Sequence, residues 1–165
     1  MKKSYIILLV TVIGLVILDQ VTKQLILNNL YLGEQISIID GFFSITSHRN
    51  QGGAWGIFSG EMTFFYLISL GSAVLFYFLG KDVDFTQKKF YSIAITLMIA
   101  GGIGNFIDRL LFKEVIDFLD FIIFDYDFPT FNVADICLVI GVILFSIDII
   151  WEDIINGKIK RRRAE

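Results

Sequence analysis

The stretch Phe90-Tyr91-Ser92-Ile93-Ala94-Ile95-Thr96-Leu97-Met98-Ile99-Ala100-Gly101-Gly102-Ile103-Gly104-Asn105-Phe106-Ile107-Asp108-Arg109-Leu110-Leu111 decides the class of this chain. Its first half is apolar almost without interruption, and it is long enough for a bilayer, which needs about 20 such residues. Its second half carries Asn105, Asp108 and Arg109 among apolar neighbours. Gly101, Asn105 and Asp108 follow i, i+4, i+7, so they share one helix face. Ala100 and Gly104 form a small-xxx-small pair that lets another helix approach closely. The stretch reads as a membrane span that turns a polar stripe toward its neighbours.

Working outward, three further apolar runs have the same length. The spans are expected at about residues 5–27, 62–80, 90–111 and 134–152. The whole chain agrees: 55% of its residues are hydrophobic and its mean hydropathy is +0.70. Its 165 residues allow one domain with no separate soluble module. The net charge of −3 offers no footprint for a polyanion, which excludes nucleic acid as a partner. Lys2 and Lys3 before the first span fit a signal peptide, but no A-x-A-like site follows, so the span is expected to be retained.

Lys and Arg distribute unevenly between the two sides. Lys2, Lys3, Lys81, Lys88, Lys89 and the Lys158–Arg163 tail fall on one, and Lys23, Arg49, Arg109 and Lys113 on the other. Both termini are therefore expected to be cytoplasmic. The two long connections then lie outside. Residues about 33–58 contain Ile36, Ile38, Phe43 and Ile45 between Gly33 and Gly41, which suggests short strands in a small extracytoplasmic β-sheet. The 112–133 connection is rich in Phe and Tyr and reads as an amphipathic outer loop dipping into the headgroups. The expected fold is an all-α membrane bundle of four transmembrane helices with that sheet and that loop.

Charge at span depth is costly, so the polar residues there are informative. Asp19, Asn105, Asp108, Arg109, Asp117 and Asp135 come from distant stretches, yet this topology puts them at one membrane boundary. Asp19 and Lys23 stand i, i+4 and can pair. As structural groups, Asp135 would cap the last span and the others would form interfacial ion pairs. As functional groups, two close aspartates share one proton, and such a pair can activate water without a covalent intermediate. That chemistry needs no metal or cofactor. It suits a chain with one histidine, His48, read as a loop residue, and one cysteine, Cys137, read as a small hydrophobe.

Five ordered blocks carry a resemblance: Asp19-Gln20-Val21-Thr22-Lys23, Arg49-Asn50-Gln51-Gly52-Gly53-Ala54-Trp55-Gly56, Gly101 through Arg109, Val115-Ile116-Asp117-Phe118 and Phe131-Asn132-Val133-Ala134-Asp135. Together they resemble the lipoprotein signal peptidases, or signal peptidases II. In the second block Gly53 stands where the family often has alanine. The resemblance implies that Asp117 and Asp135 are the catalytic dyad. It implies that Asn50, Asn105 and Arg109 bind substrate, and that Asp19, Lys23, Gly104, Asp108 and Asn132 support the site. It further implies a bacterial inner-membrane enzyme, sufficient as a monomer, that cuts diacylglyceryl-modified prolipoproteins just before the lipidated cysteine among membrane lipids.

Two other classes compete. Asp108, Asp117, Asp120 and Asp135 could hold Mg²⁺ in a lipid-headgroup enzyme. Aligned intramembrane charges also serve small transporters. The scattered carboxylates count against the first, and the apolar middle of every span counts against the second.

Overall fold

The computed structural model describes residues 3–53 and 57–164. Ala54, Trp55 and Gly56 of the second block lie outside the described residues. So do Lys2 and the side chains of the basic tail that entered the charge count.

The chain runs α1 (Lys3–Asn29), β1 (Gln35–Ile39), β2 (Phe43–Asn50), α2 (Met62–Gly80), α3 (Lys89–Phe112), β3 (Val115–Ile123), β4 (Tyr126–Phe131) and α4 (Val133–Ala164). Four helices are long and apolar enough to cross a membrane, α4 through its Val133–Ile154 portion. In hydrocarbon a helix satisfies its own backbone polar groups, so apolar runs of this length fold this way. The outward faces carry exposed Leu9, Val10, Ile17, Leu67, Leu70 and Val142, a surface suited to lipid rather than water. This is a multi-pass membrane protein. α4 continues beyond that apolar portion to Ala164.

α3 is the central helix, packed against α1, α2 and α4. Small residues make that possible. A Cβ on Gly104 would lie 2.6 Å from Asp19 Oδ2 and 3.1 Å from the Ala134 side chain. One on Gly141 of α4 would lie 2.6 Å from Met98. Ala94 and Ala100 are likewise buried.

The sheet is larger than expected. Its four strands are antiparallel in the order β1-β2-β3-β4. The connection expected to be an amphipathic loop is instead the β3–β4 hairpin. The strand leaves no period of two in the sequence because Val115–Phe118 is buried without alternation. Its β-branched and aromatic content is nonetheless that of a strand. Ile116 and Phe118 pack with Ile26 of α1 and with Leu30 just after it, which seats the sheet on the bundle.

Candidate active site

The end of α1 supplies the base of the site. Lys23 is almost fully buried, and so are Asp19 and Asp108. Lys23 Nζ lies 2.9 Å from Asp19 Oδ2 and 2.9 Å from Asp108 Oδ2, and it donates to Asn105 Oδ1 at 3.0 Å. An ammonium has three donors and no acceptor, so every one is used. The expected Asp19–Lys23 pair thus exists and extends to α3.

Each carboxylate of this triad also ties down another element. Asp19 Oδ1 accepts the backbone N–H of Ala134 at 2.9 Å, satisfying a donor that the start of α4 leaves open. Asp108 Oδ2 accepts the backbone N–H of Ile116 at 3.1 Å and anchors the beginning of β3. Gln20, which stands in the first block but carries no expected role, donates to Asp108 Oδ1 at 2.9 Å and reaches Asp19 Oδ2 and Gly104 O at 3.2 Å. Its signal was there: an amide beside Asp19 in an apolar helix.

Above the triad sit three asparagines and two aspartates. Asn105 donates through Nδ2 to Asp135 Oδ1 at 2.7 Å. Asn132 donates through Nδ2 to Asp117 Oδ1 at 2.7 Å and to Asn105 Oδ1 at 3.1 Å. Asn50 donates to Asp117 Oδ2 at 3.0 Å. Asp135 Oδ2 accepts the backbone N–H of Asn132 at 3.2 Å, while Asn132 Oδ1 accepts that of Asp135 at 3.0 Å. This reciprocal pair is a capping box at the start of α4. The capping role considered for Asp135 is therefore real, and it coexists with a place in the site.

All four dyad oxygens thus accept from fixed donors. Burial, followed by the charge of Asp135, pushes the Asp117 carboxyl up to about 7. The Asn50 and Asn132 amides and Lys23 pull the other way. Because both Asp117 oxygens already accept amide hydrogens, a proton on it must use a remaining lone pair.

Both aspartates line one cavity of about 570 Å³ with Asn50, Asn105 and Arg109. Val115, Phe131, Ile136 and Val139 make the rest of its wall largely apolar. Arg109 stacks its guanidinium over the Phe65 ring, 4.5 Å from the centroid. Its Nη2 donates to Gly52 O at 3.4 Å. Its Nε is buried and has no hydrogen-bond partner among the described residues. Phe65 lies in an apolar run and gave no sequence signal.

The structure therefore brings together Asp19, Lys23, Asn50, Asn105, Asp108, Arg109, Asp117, Asn132 and Asp135, with Gly104 at the α1–α3–α4 contact. It does not bring Asp120 with them. That side chain accepts from Gln35 on the sheet at 2.7 Å, and Asp108 is taken up by Lys23, so the four carboxylates of the metal alternative do not converge. His48 is exposed on β2, and Cys137 is buried and unpaired.

Residues 11–151 match the family model described as signal peptidase (SPase) II. The chain belongs to the signal peptidase II family. As a member it is a membrane aspartic peptidase. It is 51% identical over 164 residues to the lipoprotein signal peptidase of Staphylococcus epidermidis, covering 96% of this chain and 99% of that one. The Staphylococcus aureus (strain JH9) lipoprotein signal peptidase is 48% identical over 163 residues, with 97% and 98% covered. A bacterial membrane enzyme solved by the in meso method at 2.3 Å shares 46% identity and superposes with a TM-score of 0.81 over 88% of each chain. A second, at 1.9 Å, gives 46% and 0.77, covering 86% of this signal peptidase II chain and 91% of its own.

Proposed function

We propose that this single-domain peptidase cleaves diacylglyceryl-modified prolipoproteins immediately before the lipidated cysteine, with Asp117 and Asp135 as the catalytic dyad. The observation that carries this reading is the single cavity lined by both carboxylates, all of whose oxygens are held by fixed donors. One proton is shared by the pair. The ionised member takes a proton from water, the water oxygen attacks the scissile carbonyl carbon, and the protonated member donates toward the carbonyl oxygen. The tetrahedral intermediate then expels the amine, which leaves with a proton from the dyad. No covalent enzyme intermediate forms.

Arg109 Nε is available to hold a substrate backbone carbonyl, and an unmet buried donor is costly until it does so. Asn50 and Asn105 keep the carboxylates aligned beside that chain. The apolar wall along α4, Ile136 to Ile140, suits a signal peptide and acyl chains arriving through the bilayer. Anchoring the substrate in the membrane presents the bond to the dyad and replaces a bimolecular search with a local one. We place the site at the outer face of the bacterial cytoplasmic membrane, with both termini inside and a monomer as the working unit.

The test is cleavage of a diacylglyceryl-modified prolipoprotein by the purified protein in lipid, followed on a gel. Wild type should cut before the cysteine with or without EDTA. Folded Asp117→Asn and Asp135→Asn should each lose about 10²–10⁴-fold in rate, the usual share of general acid–base catalysis. Loss of cleavage in EDTA, or an unaltered rate in either variant, sinks the dyad mechanism.

A further inference from the structure

The sheet borders a second, open cavity of about 660 Å³. Gln35 of β1, Thr46 of β2, Asp120 of β3 and Asp127 of β4 contribute to its wall, so it spans all four strands. Asn50, Phe128, Pro129 and Thr130 line both cavities. The two spaces are therefore adjacent, and Asn50, whose amide holds Asp117, stands in the wall of both.

Their chemistry differs. The dyad cavity runs along the apolar side chains of α4, whereas most of the residues lining the second are polar, among them Gln35, Thr46, Asp120 and Asp127. It is unsuited to an acyl chain and suited to a hydrated polypeptide. A chain crossing the dyad with its apolar part along α4 must continue somewhere on the other side, and this cavity begins there. Its charge has a sign. Arg49 is paired with Glu114 at 3.4 Å, while Asp120 and Asp127 face the same space. Burial and the neighbouring Asp127 raise the Asp120 carboxyl above its ordinary value, as expected where two acids share one space.

We propose that this polar cavity binds, in extended form, the hydrophilic segment on the C-terminal side of the lipidated cysteine, and that Asp120 and Asp127 favour a basic side chain in it. The inference rests on the function proposed above and adds a subsite for the mature part of the substrate. Substrates would then be ranked by the residues after the cysteine as well as by those before it.

Lipidated peptides with one signal sequence test it. One stops just after the cysteine. Two others carry about ten further residues, enough to cross the sheet at about 3.3 Å per residue, with either lysine or glutamate in that segment. Wild type should cut the long lysine peptide with a KM about tenfold below that of the short one, the equivalent of one charge-assisted contact, and should bind the glutamate peptide less well. Thr46→Trp, which fills the cavity, should erase the length effect while cutting the short peptide at the wild-type rate. Asp127→Lys should reverse the preference between lysine and glutamate. Equal KM values for short and long peptides in wild type, or a length effect that survives Thr46→Trp, overturn the subsite alone. Failure to cut even the short peptide overturns the peptidase reading beneath it.

Discussion

Lys23 Nζ lies 3.0 Å from Asn105 Oδ1, and that contact decides which way the Asn105 amide points. A lysine ammonium can only donate, so the amide oxygen must face it and the amide N–H must face Asp135. A buried cation on α1 thus sets the hydrogen-bond polarity of a carboxylate on α4. Asn105→Asp places a third carboxylate where Asp135 Oδ1 now accepts at 2.7 Å. Cleavage should fall by at least about 100-fold, measured as kcat/KM on a lipidated peptide.

Removing the cation should cost the fold itself. Lys23→Met leaves Asp19 and Asp108 buried without the ammonium that pairs with both, a loss of about 3–5 kcal/mol for a broken buried pair. Thermal unfolding in detergent should show a much lower midpoint. The double variant Lys23→Met/Asp108→Asn removes one of the stranded charges and should regain part of that loss.

Asn132 does two things that substitution can separate. Its Oδ1 caps α4, and its Nδ2 bridges Asp117 and Asn105. Asn132→Ser keeps a capping oxygen but loses the bridge, whereas Asn132→Ala loses both. The alanine variant should be about 1 kcal/mol less stable than the serine variant. Both should cleave at least about tenfold more slowly, from the loss of a hydrogen bond to a charged group. A serine variant with wild-type cleavage would show that the bridge is dispensable.

Under the proposed mechanism the pH profile follows the raised Asp117 carboxyl. Its proton is retained from the ordinary carboxylate range up to about 7, so the dyad keeps its one proton below that pH and loses it above. The kcat/KM of the free enzyme should therefore decline on an alkaline limb centred near about 7. The limb belongs to the pair, since the two sites titrate together. Asn50→Leu removes a donor that favours the ionised form of Asp117, so the limb should move to higher pH. A limb that moves down contradicts the assignment.

Glycines along the bundle should differ by location. Gly104→Ala drives a methyl into Asp19 Oδ2 and Ala134, so the triad or α4 must shift. Overpacking of this kind typically costs about 1–3 kcal/mol, and activity should fall with it. Gly102→Ala meets only Phe76 at 3.5 Å, and Gly14→Ala meets nothing within 4 Å. Both should be near neutral in thermal midpoint and cleavage.

Much of this site was legible beforehand for a simple reason. A carboxylate, amide or guanidinium in an apolar run is conspicuous, and Asp19, Asn105, Asp108, Arg109 and Asp135 all stand in or at the ends of such runs. The helical spacing of Gly101, Asn105 and Asp108 also put them on the face that proves to be buried. Less was visible outside the spans. β3 hid because its buried start does not alternate. The sequence gives Gln20 no role of its own, because an amide next to Asp19 has no partner until α3 packs against α1. Phe65 beneath Arg109 was one aromatic residue among many.

Four membrane spans, the level at which their polar groups collect and the helix face that bears them are all local properties. They depend on windows of about 20 residues and on a 3.6-residue period, so the amino-acid order alone determined them. The pattern of donors and acceptors is different in kind. Asn50 reaches Asp117 across 67 positions, and Asp19 reaches the Ala134 backbone across 115. Only the tertiary structure decided which oxygen accepts from which nitrogen. A hydrogen bond needs its partners within about 3 Å and in line, and separations along the chain say nothing about that until the helices and the sheet have packed.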